Sequence, residues 1–236
     1  MTQQRMIAAL ARSPFASVLR PLANAVVGDG LRVVRVRTGV ARGAQLELDL
    51  AREKAYWLGH YEPAVQQALA DHVQRGDVVY DVGAHVGFFT VCAARLGARV
   101  VAFEAAPGNA ARVRRNAELN GLDVAVVEAA VWDDDGGVEL VAGGSASEWE
   151  ARNGVGIPSV TLDGYIRTHP APALVKIDAE GAELRVLRGA AELLRLHRPV
   201  VVCELHGGAS ELPPELLVGY EVNPLGSLER LLLTPV

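Results

Sequence analysis

Cysteine is nearly absent from this chain. Cys92 and Cys203 are the only two among 236 residues, and neither belongs to a CxxC pair. A disulfide scaffold is therefore excluded. Both lie in apolar runs, where buried and inert thiols are expected, a pattern that suits a reducing cytosol. Long apolar runs are also missing. None approaches the roughly 18 residues of a membrane span, so no membrane partner is expected. There is no excess of positive charge: 23 Lys and Arg stand against 28 Asp and Glu, a formal charge of −5. That balance disfavours a bulk electrostatic hold on nucleic acid. Lysine is scarcest of all. Lys54 and Lys176 are the only two, which reads as GC-rich coding rather than function. There is no internal repeat and no low-complexity tract. The opening MTQQRMIAALARSPFASVLR has Arg5 and Arg12 inside any would-be signal core and Pro14 inside its helical pattern. It is expected to be part of the mature protein, which is expected in the cytoplasm.

What is present is ordinary globular composition, 50% apolar and 22% charged, at a length that suits one domain with a small appendage. Residues 1–50 are expected to form an N-terminal extension, a cap or dimer element. Its helical spacing to Val27 is followed by the alternating pair LRVVRVR and AQLELDL. Residues 51–236 alternate strands and helices. DVVYDVG, RVVAFEA, VAVVEAAV, ALVKIDAEG and PVVVCELH read as strands. GFFTVCAARLG, GNAARVRRNAELNG (with Asn109 as its N-cap) and AELRVLRGAAELLRLH read as the intervening helices. The strands are continuous apolar runs, as required when helices cover both faces, so an α/β, doubly wound, mostly parallel sheet is expected. AGGSASEWEARNGVGIPS reads as a surface insertion or lid, and the tail as a short helix and a hairpin. Arg112, Arg114 and Arg115 read as a solvated basic helix face, and Asp163 as a cap or turn residue.

Ligands of such sheets sit beyond the carboxyl ends of the strands. The residues there are mostly acidic. The first loop lacks the GxGxxG of a pyrophosphate cradle and has no Walker lysine. Its spacing is Gly83-x-x-x-Gly87, with Asp81 two residues ahead. Asp81 suits an ammonium group, and Glu104, ending the second strand, suits a ribose diol. Together they describe S-adenosylmethionine. Adenine contact is expected from the stretch Glu128 to Val131.

The segments YWLGHYEP, VVYDVGAHVGFFT, FEAAPGNAARVRRNAELNG, SVTLDGYI, LVKIDAEGAELRVLRG and CELH resemble the FkbM-type S-adenosylmethionine-dependent methyltransferases, over roughly Leu46 to His206. His85 stands where that family more often has asparagine, and Ala105-Ala106 replaces commoner residues. The resemblance implies a class I methyltransferase (Rossmann-like) fold with a seven-stranded sheet whose last strand is antiparallel. It also implies O-methylation of a small molecule or sugar. The candidate cofactor contacts are Tyr61, Glu62, Asp81, Gly83, Ala84, His85, Gly87 and Phe88 from the first part. Glu104, Ala105, Asn109, Ala129, Ala130 and Asp178 complete them. For Tyr61 and Glu62, structural packing is an equal alternative.

Asp178 with Glu180, and Glu204 with His206, each lie two apart at a strand end and face the same way. A hydroxyl acceptor must lose its proton, and His206 is the first candidate base because its ordinary pKa is near 6.5. Asp178 or Glu180 come next. A second version places Mg²⁺ on ligands drawn from Asp178, Glu180, Glu204 and His206, with Asp178, Glu204 and His206 as the named trio. Magnesium is not the favoured reading. The expected partner is a small-molecule acceptor rather than nucleic acid or membrane, and a homodimer remains open. A binding protein that keeps the fold without catalysis is the alternative of a different class.

Overall fold

The computed structural model describes residues 30–142, 149–153, 156–206 and 212–236, with side chains throughout except at 141–142 and 149–153. The helical reading of residues 1–27 lies outside the described residues. In chain order the elements begin with β1 (Leu31–Arg35), β2 (Gln45–Asp49), α1 (Lys54–Leu58) and α2 (Pro63–His72). There follow β3 (Val78–Val82), α3 (Phe88–Arg95), β4 (Arg99–Phe103), α4 (Pro107–Glu118), β5 (Val124–Val127), β6 (Ala130–Val131) and β7 (Gly137–Ala142). Then come β8 (Trp149–Asn153), β9 (Ile157–Val160), α5 (Leu162–Tyr165), β10 (Leu174–Ile177), α6 (Glu183–Arg188), α7 (Ala191–Leu196) and β11 (Val200–Glu204). A 3₁₀ turn at Pro214–Leu217 and the hairpin β12 (Tyr220–Pro224) and β13 (Arg230–Pro235) close the chain.

Seven strands form the main sheet in the order β12-β13-β11-β10-β3-β4-β5. The five from β11 to β5 are parallel, and β13 is antiparallel to β11, as expected. The order reverses between β3 and β10, so the ligand crevice of such a sheet falls beyond their carboxyl ends. Along β3 every residue is buried, and alternate side chains serve opposite faces. Val79 packs with Leu46, Leu48, Leu69 and Phe88 on one face. Val78, Tyr80 and Val82 pack with Phe103, Val186 and Leu193 on the other. No helix among the described residues is long and apolar enough to cross a membrane.

Several local expectations need correction. VAVVEAAV is two strands: β5 stays in the main sheet, whereas β6 pairs with β9 in a separate sheet of order β6-β9-β7-β8. The Gly/Ser-rich stretch therefore contributes β8 and β9 to this second sheet; residues 143–148 and 154–155 lie outside the described residues. AELRVLRGAAELLRLH is two helices. A side chain at Gly189 would collide with the Trp132 carbonyl, and Asp163 starts α7 by accepting from the backbone N–H groups of Glu192 and Leu193. Asn109 is not an N-cap: Ala106 holds that position, followed by Pro107.

The β1–β2 pair shares one core with the sheet. Asn116 of α4 and Asn120 just beyond it accept from the backbone N–H of Glu47 and Gln45, so two amides take the place of a neighbouring strand. Arg112 corrects the solvated-face reading. It forks onto both oxygens of Glu53 at 2.8 and 2.6 Å and donates to the Glu47 carbonyl. Glu53 is 6% exposed. Replacing Arg112 with alanine should therefore strand a buried carboxylate, costing about 3–5 kcal/mol of stability in chemical denaturation. The double change R112M/E53M should recover most of that loss.

Candidate active site

A cleft opens above the carboxyl ends of β3, β4 and β10. One end is lined by Glu104, Ala105, Asn109 and residues 129–131, with Leu140. The other is lined by Asp178, Ala179 and Glu180, and Tyr56, Tyr61, Gly83 and His85 form a wall between them.

Glu104 ends β4 and is pinned by the loop that follows β3. The N–H of His85 donates to its Oε2 at 2.7 Å, and the N–H of Ala106 donates to its Oε1 at 2.9 Å. Burial raises its pKa to about 7 against these bonds and one from the Asn109 side chain. Gly83 has φ 72, and a Cβ there would strike the Asp178 carbonyl. Only glycine lets the two loops meet at this point. His85 also has positive φ, 53. Its Nδ1 lies 3.3 Å from the Tyr56 hydroxyl, and its buried Nε2 has no partner among the described residues. Burial lowers its pKa, so the ring is neutral near pH 7. Burial pushes both the Tyr56 and Tyr61 phenols up, so neither serves as a base. Phe88 supports this wall from behind, stacked on Tyr56 at 5.1 Å.

Beneath the cleft lies a charged floor. Asp81, 2% exposed, accepts from the Thr90 hydroxyl at 2.6 Å, and its other oxygen is 3.4 Å from Lys176 Nζ. The expectation that Asp81 offers a free carboxylate to an ammonium group is corrected. It does not line the cleft, and a lysine already faces it. Lys176 Nζ also lies 3.3 Å from Asp178 and 3.2 Å from the Gly83 carbonyl.

At the rim, His206 Nδ1 meets Glu183 at 2.9 Å, and Nε2 lies 3.4 Å from Glu180 and 4.0 Å from Asp178. The Glu183 bond, working against burial and aided by the neighbouring carboxylates, raises the imidazole to about 9. The reason for favouring His206 as base is thereby overturned, because its proton is already held at neutral pH. Glu183 in turn accepts from the N–H groups of Ala179 and Gly181, which fixes the loop after β10.

Glu204 is not part of this group. Arg230 of β13 holds it and Glu62 together, at 3.0 and 3.2 Å. The Asp178, Glu204 and His206 trio is thus corrected: among the described residues, the ligand atoms within 4.8 Å of one another belong to Asp178, Glu180 and His206. Of the other expected contacts, Glu62, Ala84, Gly87 and Phe88 do not line the cleft. Ala84 packs with Ala102 and Val113, and Gly87 brings α3 close to Val113 of α4. Sequence reasoning passed over Tyr56, Lys176, Glu183 and Arg230. Tyr56, Lys176 and Glu183 lay inside quoted motifs without being singled out, and Arg230 shows its importance only through Glu62 and Glu204, distant in sequence.

The model of the methyltransferase FkbM domain matches residues 81–218, more than half of the chain. A hexuronic acid methyltransferase, AglP of Haloferax volcanii, is 27% identical over 153 residues. These cover 62% of this chain and 63% of that protein, so the chain spans less than two thirds of the curated relative it matches. A methyltransferase FkbM structure from Methylobacillus flagellatus KT aligns with TM-score 0.51 and 18% identity, over 67% of this chain and 43% of its own. The T. thermophilus 16S rRNA N2 G1207 methyltransferase, solved with AdoMet and guanosine, aligns with TM-score 0.51 and 17% identity, over 87% and 50%. These two alignments establish likeness of fold.

The rim geometry carries a pH signature. The His206 pKa is raised above its unfolded value near 6.5. What its contacts contribute to stability is present in full below about 6.5 and is lost as pH rises through about 9. Glu183→Gln should bring the His206 titration, followed by NMR, down from about 9 toward 6.5 and flatten the stability profile across that window.

Proposed function

The chain belongs to the methyltransferase FkbM domain family, and we propose that it is an S-adenosylmethionine-dependent methyltransferase acting on an oxygen of a small molecule or sugar. The observation that carries this reading is Glu104. Its two oxygens are each fixed by one backbone N–H, and it lines the cleft. A carboxylate has about four acceptor positions; the two N–H groups and the Asn109 side chain take three of them, so this one keeps acceptor capacity for a ribose hydroxyl. The remaining donor set fits the same molecule. Ala105, Ala129, Ala130 and Val131 offer an apolar wall to adenine, and Asp178 offers a carboxylate to the ammonium end.

Bound there, S-adenosylmethionine supplies a methyl group activated on a sulfonium. The chain's own contribution is alignment. Holding an acceptor oxygen in line with that carbon supplies on the order of 7–11 kcal/mol of the barrier. Tyr56, Tyr61 and the apolar wall exclude water from one side of the cleft. Proton removal adds roughly 10²- to 10⁴-fold. With His206 already protonated, this role passes to Glu180, which lines the cleft, is the most exposed of the rim carboxylates and shares the His206 ring with Glu183. The sugar class is supported by the relative named for hexuronic acid. The free, buried thiols of Cys92 and Cys203 support a reducing cytoplasmic setting.

Calorimetry tests the reading. The wild-type chain should bind S-adenosylhomocysteine, and Glu104→Gln should weaken binding roughly 10- to 100-fold, the cost of hydrogen bonds to a charged group. Wild-type affinity should also fall as pH drops below about 7 and Glu104 takes up its proton. Absence of wild-type binding, or E104Q binding at wild-type strength, overturns the proposal.

A further inference from the structure

Lys176 is one of only two lysines in the chain, and it sits in the protein interior at 5% exposure. On β10 it stands directly across from Asp81 of β3, in register on adjacent parallel strands. An ammonium group has three donors and no acceptor. Around this one lie three acceptors from three segments: Asp81 on β3, the Gly83 carbonyl in the glycine turn, and Asp178 after β10. Phe89 places its ring 5.3 Å from Nζ on a further side. Burial works against the charge, but Asp178 and Asp81 outweigh it and raise the lysine pKa.

A buried ion cluster of this kind is weak evidence for stability, because well-packed apolar residues of similar volume often do as well or better. Its placement suggests another use. Asp178 lines the cleft, whereas Asp81 does not. One ammonium between two carboxylates leaves a single net negative charge at the cleft floor. We propose that Lys176 is a positioning residue: it fixes the Asp178 carboxylate at the cleft and, by balancing Asp81, sets the floor to one net negative charge that faces the ammonium of the ligand's zwitterionic amino-acid end. This rests on the cofactor reading above. It assigns to Asp81 an effect on affinity exerted by charge alone, without contact.

The test is a set of variants measured by calorimetry with two ligands. S-adenosylmethionine carries the ammonium and sulfonium; methylthioadenosine carries the nucleoside and sulfur without the amino-acid end. Asp81→Asn removes the net charge and should weaken S-adenosylmethionine about tenfold, while methylthioadenosine stays within about threefold of wild type. Lys176→Met should weaken S-adenosylmethionine by a similar factor, because the uncompensated Asp81 then repels Asp178 from its place at the cleft. The double variant D81N/K176M returns the floor to one negative charge with a neutral pair of similar shape. It should recover S-adenosylmethionine affinity to within about threefold of wild type. If K176M does not fold, D81N and the double variant still decide the matter. D81N binding S-adenosylmethionine at wild-type strength overturns the proposal. So does equal weakening of both ligands, or a double variant no tighter than D81N. Failure of the wild-type chain to bind S-adenosylmethionine would instead overturn the cofactor reading.

Discussion

Two strand tips that follow each other across the switch point must approach closely for a crevice to form there. In this protein a single ammonium spans that approach. β3 and β10 are neighbours in the sheet but are separated by more than ninety residues of chain, and their following loops meet where Gly83 lies against the Asp178 carbonyl. The contact leaves no room for a side chain. Two carboxylates, Asp81 and Asp178, would face each other across it without a cation between them. Lys176 supplies that cation from within β10 itself. The rest of the cleft depends on this arrangement. The glycine turn that presents the His85 N–H to Glu104 and the loop that presents Asp178 and Glu180 are both anchored to the same nitrogen.

The acidic edge of the sheet divides into three separately compensated groups. Lys176 serves Asp81 and Asp178; Arg230 serves Glu62 and Glu204; protonated His206 serves Glu183 and Glu180. Glu104 stands apart, compensated by backbone N–H dipoles and an amide instead of a cation. The chemistry follows the compensation. A carboxylate held by neutral donors keeps lone pairs for hydroxyls. A carboxylate held by a cation retains attraction only where it is in excess. The cleft thus offers neutral recognition at the β4 end and residual negative charge at the β10 end, the polarity required by a molecule with a sugar at one end and an ammonium at the other.

Much of this was legible in the sequence where local rules suffice. The apolar runs gave the parallel strands, because residues buried on both faces cannot alternate. The glycine turn and the glutamate ending the next strand gave two parts of the cleft's lining, Gly83 and Glu104. The errors fall where a residue's role is set by a remote partner. VAVVEAAV has strand character throughout, but β9 draws off its last two residues. The periodicity of residues 182–197 is helical, yet Asp163 and the Trp132 carbonyl divide it. His206 looks like an ordinary imidazole until Glu183 and Glu180 are placed against it. Lys176 was read as coding bias: Asp178 lies two residues on, but Asp81, the other carboxylate it balances, is placed opposite it only by the pairing of β3 with β10.

The matched family segment begins at Asp81, but the cleft does not. Tyr56 and Tyr61 line it, and the Tyr56 hydroxyl reaches His85. Tyr56 is held in turn by its stack on Phe88, and α1 is tethered through Glu53 to Arg112 of α4. Asn116 of α4 joins the same assembly. Its carbonyl takes the Glu47 N–H, and its amide donates to the Val86 carbonyl in the glycine turn. A strand pair that pattern alone marks as an appendage is therefore bonded to the loop that positions Glu104. Its loss would disturb the cleft through that loop as well as through the missing aromatic wall. The segment from β1 to Tyr61 is thus structurally part of the cleft and its support.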